Sequence, residues 1–386
     1  MLPRNVLAIR SLVGSSSEVI CKATSKNSNS FLLEYPPGAY TGMRTIDQKG
    51  VLDFSGHVVR LANSLQQIHF HDPHNSNIIG SKNENQPRDL HDQTNNHGYE
   101  GAEPSLVQQG LAPFRNVETL MQEARQLVRS GLSHYFQLLH QQEHLLSTPH
   151  TPPPEPLNLP PADQEKQKQH PRVNGSLHKP APTTRSILDE AKITLLCTWD
   201  FTTGSPTFLA HFEPLKVPMT RRCKVEIHGS PRDHATAKDS QWVRDRGLIE
   251  KSLDPDTNEA LLMDDSQNVY EGLSSNFFAV VDGTNGRGTT VITAPLEYVL
   301  QGTIHRAVQA ICKQENIPLV YRFPNLKEAD QWRGAFISST SRLVLPIETM
   351  VMPDGTHKLL PDSPLVEQLR AAVAEECKRR VELVLD

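Results

Sequence analysis

Glu271-Gly272-Leu273-Ser274-Ser275-Asn276-Phe277-Phe278 is the stretch on which the reading of this 386-residue chain turns. An acidic residue opens a Gly-Ser-Ser-Asn turn that runs straight into an apolar segment, 277–281. The carboxylate therefore stands at the lip of a buried strand, where a charge needs a cationic partner. Upstream, Lys238 sits among small neighbours in Ala235-Thr236-Ala237-Lys238-Asp239-Ser240. Downstream, Gly302-Thr303-Ile304-His305 opens a helical pattern, and Ser338-Ser339-Thr340-Ser341-Arg342 ends an apolar run. An amine, a carboxylate, a helix N-terminus and a hydroxyl cluster in that order suit pyridoxal 5'-phosphate, which needs an aldehyde partner, a pyridinium partner and a phosphate cup.

These residues resemble the class IV (fold-type IV) pyridoxal-phosphate-dependent aminotransferases, a family that includes branched-chain and D-amino acid aminotransferases and aminodeoxychorismate lyases. Its mark, E-G-x-x-x-N-x-F, is met by Glu271, Gly272, Asn276 and Phe278. The wording is closest to an uncharacterised plant group with P-P-G-A-Y-T and A-K-D-S-Q-W-V-R, which here begin at Pro36 and Ala237. The likeness spans residues 31–70 and 186–350, and four motifs in the correct order make it specific.

The resemblance implies an α/β fold in which a small N-terminal domain packs on a larger C-terminal pseudo-barrel domain, as a homodimer. It implies that Lys238 forms the Schiff base and moves the substrate proton, and that Glu271 faces the pyridine nitrogen, with Asn276 beside it. Arg60, in Phe54-x-x-His57-x-x-Arg60-Leu61, would grip the phosphate with a planar, permanently charged fork. Gly302, Thr303 and Ile304 would form the phosphate cup, with Ser339 and Thr340 closing it. The family usually has G-I-T-R where this chain has G-T-I-H. Tyr40 falls where the family sets an aromatic against the substrate; a half-buried strand tyrosine is the plainer reading. Trp199 stands where relatives often place a carboxylate-binding arginine, so it is a candidate substrate residue. The activity implied is amino transfer from an amino acid to a 2-oxo acid. A lyase of the aminodeoxychorismate type and a degenerate, non-catalytic relative are the alternatives.

Bulk properties bound the rest. The net charge of −5 and the absence of any Lys/Arg block exclude an electrostatic footprint for nucleic acid or acidic membranes. No apolar run reaches the length of a membrane span. Five scattered cysteines without CxxC predict neither a disulfide framework nor structural zinc. His69, His71 and His74 lack a scaffold, so no metal site is expected.

Residues 1–30 hold Arg4, Arg10, Lys22 and Lys26 against Glu18 and read as a disordered or transit-like N-terminus. The compartment stays open between plastid, mitochondrion and cytoplasm. The small domain is read as 31–214, with 31–35 and 38–45 extended and Ser55 as N-cap of a helix bearing Val58, Leu61, Ala62 and Leu65. Residues 71–185 read as a low-complexity insertion. Its polar stretch to about 115 is predicted to be a loop. Residues 117–139 are predicted to be an amphipathic helix interrupted near Gly131. Ten prolines within 149–182 predict an extended linker. The large domain is read as 219–386, ending in a helix with Ser363 as cap and Pro364 at its first position.

Overall fold

The computed structural model describes residues 4–10, 18–48, 50–72, 103–147, 190–216, 220–283 and 288–385. Two sheets dominate it. Along the chain, β1 (Asn5–Arg10) and β2 (Val19–Thr24) precede α1 (Ser28–Glu34), β3 (Gly38–Ile46), β4 (Gly50–Leu52) and α2 (Phe54–Gln67). Helices α3 (Ser105–Arg115) and α4 (Val117–Ser147) follow, then β5 (Ala191–Asp200) and β6 (Ser205–Pro214). The second half holds β7 (Cys223–Ile227), α5 (Gln241–Asp245), α6 (Gly247–Ser252), β8 (Glu259–Met263), β9 (Val269–Gly272), β10 (Asn276–Asp282) and β11 (Thr289–Thr293). It ends with α7 (Thr303–Gln314), β12 (Leu319–Tyr321), β13 (Gly334–Ser339), β14 (Leu343–Val351), β15 (His357–Leu359), α8 (Pro364–Arg379) and β16 (Val381–Leu383).

The first sheet has the order β16-β4-β3-β5-β6-β1-β2 and is antiparallel throughout. Alternation along β5 divides its two faces. Ile193, Leu195, Cys197 and Trp199 join the core beneath α2, α3 and α4, whereas Leu196 packs on the other face with Leu32 and Tyr40. In the second sheet the order runs β12-β11-β10-β13-β14-β7-β8-β9, and β9 also pairs with β10 through Glu271 and Asn276. That pairing closes six strands into a barrel filled by Val225, Leu261, Phe277 and Ile337. Outside it, α7 and α8 cover Phe278, Val280 and Phe336.

Several expectations need correction. The first thirty residues are not a disordered tail throughout: β1 and β2 form a hairpin on the edge of the first sheet. Val6 and Ala8 alternate into the core, and Arg10 pairs with Glu123 of α4 at 2.6 Å. Residues 31–35, expected to be extended, instead form the end of α1 (Ser28–Glu34) and its C-cap Tyr35, because Asn27 caps the Ser30 N–H and Phe31 and Leu32 share one buried face. The loop predicted up to about 115 contains α3, anchored by an Arg115–Glu103 ion pair of 2.8 Å. Ser55 is not the cap of α2; it lies inside the helix and hydrogen-bonds Glu382 of β16. The final strand thus returns from the second half to the first sheet, so the division at 219 is not clean. The proline-rich segment lies outside the described residues.

Helix α4 continues through Gly131 without a break. A Cβ there would lie 2.1 Å from the Phe212 ring, so the glycine is a packing choice. Gly131→Ala should therefore lower the unfolding free energy by about 1–3 kcal/mol through overpacking, against the gain of about 1 kcal/mol that alanine brings to an unobstructed helix. Urea denaturation would measure it, and a stabilised variant would contradict this account.

Candidate active site

The two halves meet at Lys238. Its carbonyl accepts the Tyr40 N–H at 3.0 Å, and the Ser240 N–H donates to the Gly38 carbonyl at 2.8 Å. The Ser64 hydroxyl of α2 accepts the Lys238 N–H at 3.0 Å. The loop bearing the amine is therefore stitched to β3 and α2 before any ligand is considered. Lys238 Nζ lies 4.6 Å from the Tyr40 ring centroid. Burial lowers the pKa of this amine, and Arg60, Arg232 and Arg246 push the same way. Burial works to raise the Tyr40 phenol, but Lys238, Arg246 and Arg232 outweigh it and the net shift is downward.

Glu271 stands on the closing strand β9, 5 % exposed. Arg232 Nε donates to it at 2.6 Å and the Leu300 N–H at 3.2 Å. Burial raises its pKa, and Arg232 is the main influence holding it back. The same guanidinium donates to the carbonyls of Ala235 and Ala237, so one side chain ties the carboxylate to the Lys238 loop. Asn276 fixes the approach to α7: its amide donates to the Leu300 carbonyl at 2.6 Å and accepts the Gly302 N–H at 3.3 Å. A Cβ on Gly302 would meet the Asn276 Oδ1 at 2.7 Å, which explains the glycine.

The far end of the site is cationic. Arg60 is buried and donates to Thr303 at 3.1 Å and to Thr41 at 2.9 Å. Its Nη2 also lies 2.8 Å from His57 Nδ1. A guanidinium only donates, so Nδ1 must accept, and the neutral ring carries its proton on Nε2. That proton points to Thr303 Oγ1 at 3.2 Å. Thr303 thus accepts twice, which leaves its own hydroxyl hydrogen free to donate into the cavity. Burial, reinforced by Arg60, holds the His57 pKa well below its usual value, consistent with a neutral ring. His57 is a positioning residue here.

A solvent-open cavity of about 160 Å³ joins these groups. Lys238, Glu271, Arg60, Asn276, Gly302, Thr303, Ile304, Ser339, Thr340 and Tyr40 all line it. Of the expected residues, Trp199 does not. Its ring is buried on the opposite face of β5, under Gly110 of α3, because odd positions of that strand face the helices. The even positions Lys192 and Thr194 reach the cavity instead. The Ile304 side chain belongs to the core beneath α7, so only its backbone serves the cup. His305 also points into that core, near Phe278, and burial pushes its pKa down to about 4.

Arg232, Trp242 and Arg246 also line the site, and the sequence reading missed them. Trp242 and Arg246 lie four and eight positions after Lys238, a helical spacing that could have been followed.

The residues fit a phosphorylated cofactor. Among the described residues, no carboxylate forms an ion pair with Arg60, and its buried Nε has no hydrogen-bond partner. Burial lowers its pKa only to about 10, so it stays charged at neutral pH and calls for an anion. The N-terminus of α7 beside it is suited to receive one. The buried Ser338 hydroxyl is likewise unpartnered on the cavity wall.

Residues 202–350 match the family model described as amino-transferase class IV. No curated protein matches the chain. Among solved structures, a branched-chain aminotransferase from Thermoproteus uzoniensis superposes with a TM-score of 0.56 at 15 % identity, covering 98 % of this chain and 99 % of that one. A putative branched-chain amino acid aminotransferase from Thermotoga maritima gives 0.55 at 15 %, covering 97 % and 96 %. A hypothetical aminotransferase from Mycobacterium tuberculosis in a PLP-bound form gives 0.55 at 14 %, covering 95 % and 97 %. These likenesses show the fold, which is that of the fold-type IV enzymes.

Removing Arg232 should expose how the carboxylate is held. Arg232→Met leaves a buried Glu271 unpaired and raises its folded pKa further. Below about pH 4.3 the carboxyl is protonated both folded and unfolded, and little of this loss appears. As pH rises, the unfolded state ionises first and stability falls, by about 3–5 kcal/mol once the folded carboxylate is charged. Urea denaturation at pH 4 and pH 7 should show the larger loss at pH 7. An equal loss at both would contradict the assignment.

Proposed function

We propose that this fold-type IV chain, with its class IV aminotransferase segment, transfers an amino group from an amino acid to a 2-oxo acid using pyridoxal 5'-phosphate. The observation that carries the reading is the placement of a charged guanidinium without an ion-pair partner among the described residues, beside a helix N-terminus, in the same cavity as a half-buried amine and a buried carboxylate. Arg60, the backbone of Gly302, Thr303 and Ile304, the Thr303 hydroxyl, and Ser339 and Thr340 would hold the phosphate. Glu271 would sit at the pyridine nitrogen, and Lys238 would carry the covalent link. When bound, the cofactor supplies an electron sink for the bond broken at the substrate α-carbon.

The chain's own groups do the rest. Lys238 Nζ, whose pKa burial lowers from the usual lysine value, would take the proton from the substrate α-carbon and return it. Glu271, held toward its ionised form by Arg232 against the effect of burial, would stabilise a proton placed opposite it. Asn276 positions the α7 terminus without taking part in proton movement. The family resemblance supports assembly as a homodimer.

Borohydride reduction in the presence of pyridoxal phosphate, followed by peptide mapping, tests the reading. The label is expected on Lys238, and Lys238→Ala should lose both label and turnover. Glu271→Ala should keep the label and lose turnover a hundredfold or more, as an estimated 3–5 kcal/mol would give. A label on another lysine, near-normal turnover by the Glu271 variant, or pyruvate release without any 2-oxo acid acceptor would contradict the proposal.

A further inference from the structure

The cations that line the cavity are not equally committed. Arg232 is bound to Glu271 at 2.6 Å, and Lys192 is bound to Glu213 at 2.9 Å. Arg60 serves the anion end, and Lys238 is the reactive amine. Arg246 is left. It is 6 % exposed, at the junction of α5 and α6, and lines the same cavity as Tyr40 and Lys238.

Its guanidinium is held but not saturated. Nη1 donates to the Leu273 carbonyl at 2.9 Å, the carbonyl that also accepts Trp242 Nε1 at 2.8 Å. Nε lies 2.9 Å from Glu250 but makes no aligned hydrogen bond. Glu250 is about a third exposed, so solvent weakens its hold. Among the described residues, Nη2 has no hydrogen-bond partner. The charge also acts on both Tyr40 and Lys238, which places it within electrostatic reach of the reacting end.

We propose that Arg246 anchors a carboxylate of the substrate through paired N–H donors, with Trp242, Tyr40 and Leu32 as the wall beside the rest of the molecule. A planar fork fixed at one nitrogen loses little freedom on gripping a carboxylate. The arginine absent from the 198–200 segment is thus replaced from a different element, the junction of α5 and α6. Calling the ligand a substrate rests on the amino-transfer reading; the carboxylate site itself does not.

The test is calorimetric titration of the full chain with hexanoate and with uncharged hexanamide, so that no turnover is needed. Wild type should bind hexanoate and not the amide. Arg246→Gln should weaken hexanoate by about tenfold or more, the loss of a charge-assisted contact. Arg246→Lys keeps a cation at the same depth and should fall between them. Under turnover, Arg246→Gln should raise KM for the 2-oxo acid more than it lowers kcat. Equal hexanoate affinity in wild type and either variant, equal binding of the amide, or no hexanoate binding by wild type would overturn the anchor. Borohydride labelling of the same samples separates the two readings. A carboxylate site dependent on Arg246 without label at Lys238 would keep the anchor and remove the cofactor assignment.

Discussion

The buried pair between Arg232 and Glu271 is the contact on which the site depends. Glu271 lies on the strand whose pairing with Asn276 closes the barrel, and Arg232 holds the carbonyls of Ala235 and Ala237 just before Lys238. Backbone closure, the carboxylate and the amine-bearing loop are therefore fixed by one guanidinium. A buried carboxylate without it would be driven toward its neutral form. A neutral acid could not stabilise a proton on a ligand nitrogen.

Around that pair a second set of contacts keeps the turns rigid. Glu259 is 3 % exposed and accepts from Ser274, Ser275 and Arg342. It ties the turn after Glu271 to Arg342, which follows Ser339 and Thr340, and so links both cavity walls. On the opposite side, His57, Thr41 and Thr303 fix Arg60 by a chain of hydrogen bonds. Such chains place charged groups to within a few tenths of an ångström without a ligand, as a preorganised site requires.

Much of this was legible in the sequence, and the exceptions have physical causes. Lys238, Glu271, Asn276 and Gly302 were legible because each sits at or beside an element end with a characteristic turn or cap, and Arg60 because it lies on the buried face of the amphipathic helix α2. Trp199 was misplaced because its reading followed motif position, whereas strand parity decides which face a side chain takes. Residues 31–35 looked extended because Phe31-Leu32-Leu33 is a short apolar run, which periodicity alone cannot assign. The β1–β2 hairpin was hidden by the serine-rich segment joining its strands. Arg232 carried no local signal, since a lone arginine is most often a surface residue, and Arg246 carried only its helical spacing from Lys238. Their roles come from long-range contacts with Glu271 and Leu273, which only the folded chain brings near.

The central claim is that one cavity holds a phosphate at Arg60 and α7, a protonated ring nitrogen at Glu271 and a covalent link at Lys238. A crystal structure of the protein grown with pyridoxal phosphate measures all three at once. The account predicts phosphate density between Arg60, Thr303 and the Ser339–Thr340 turn, ring density reaching Glu271, and continuous density to Lys238 Nζ. Ring density away from Glu271, or phosphate density remote from Arg60, would contradict it.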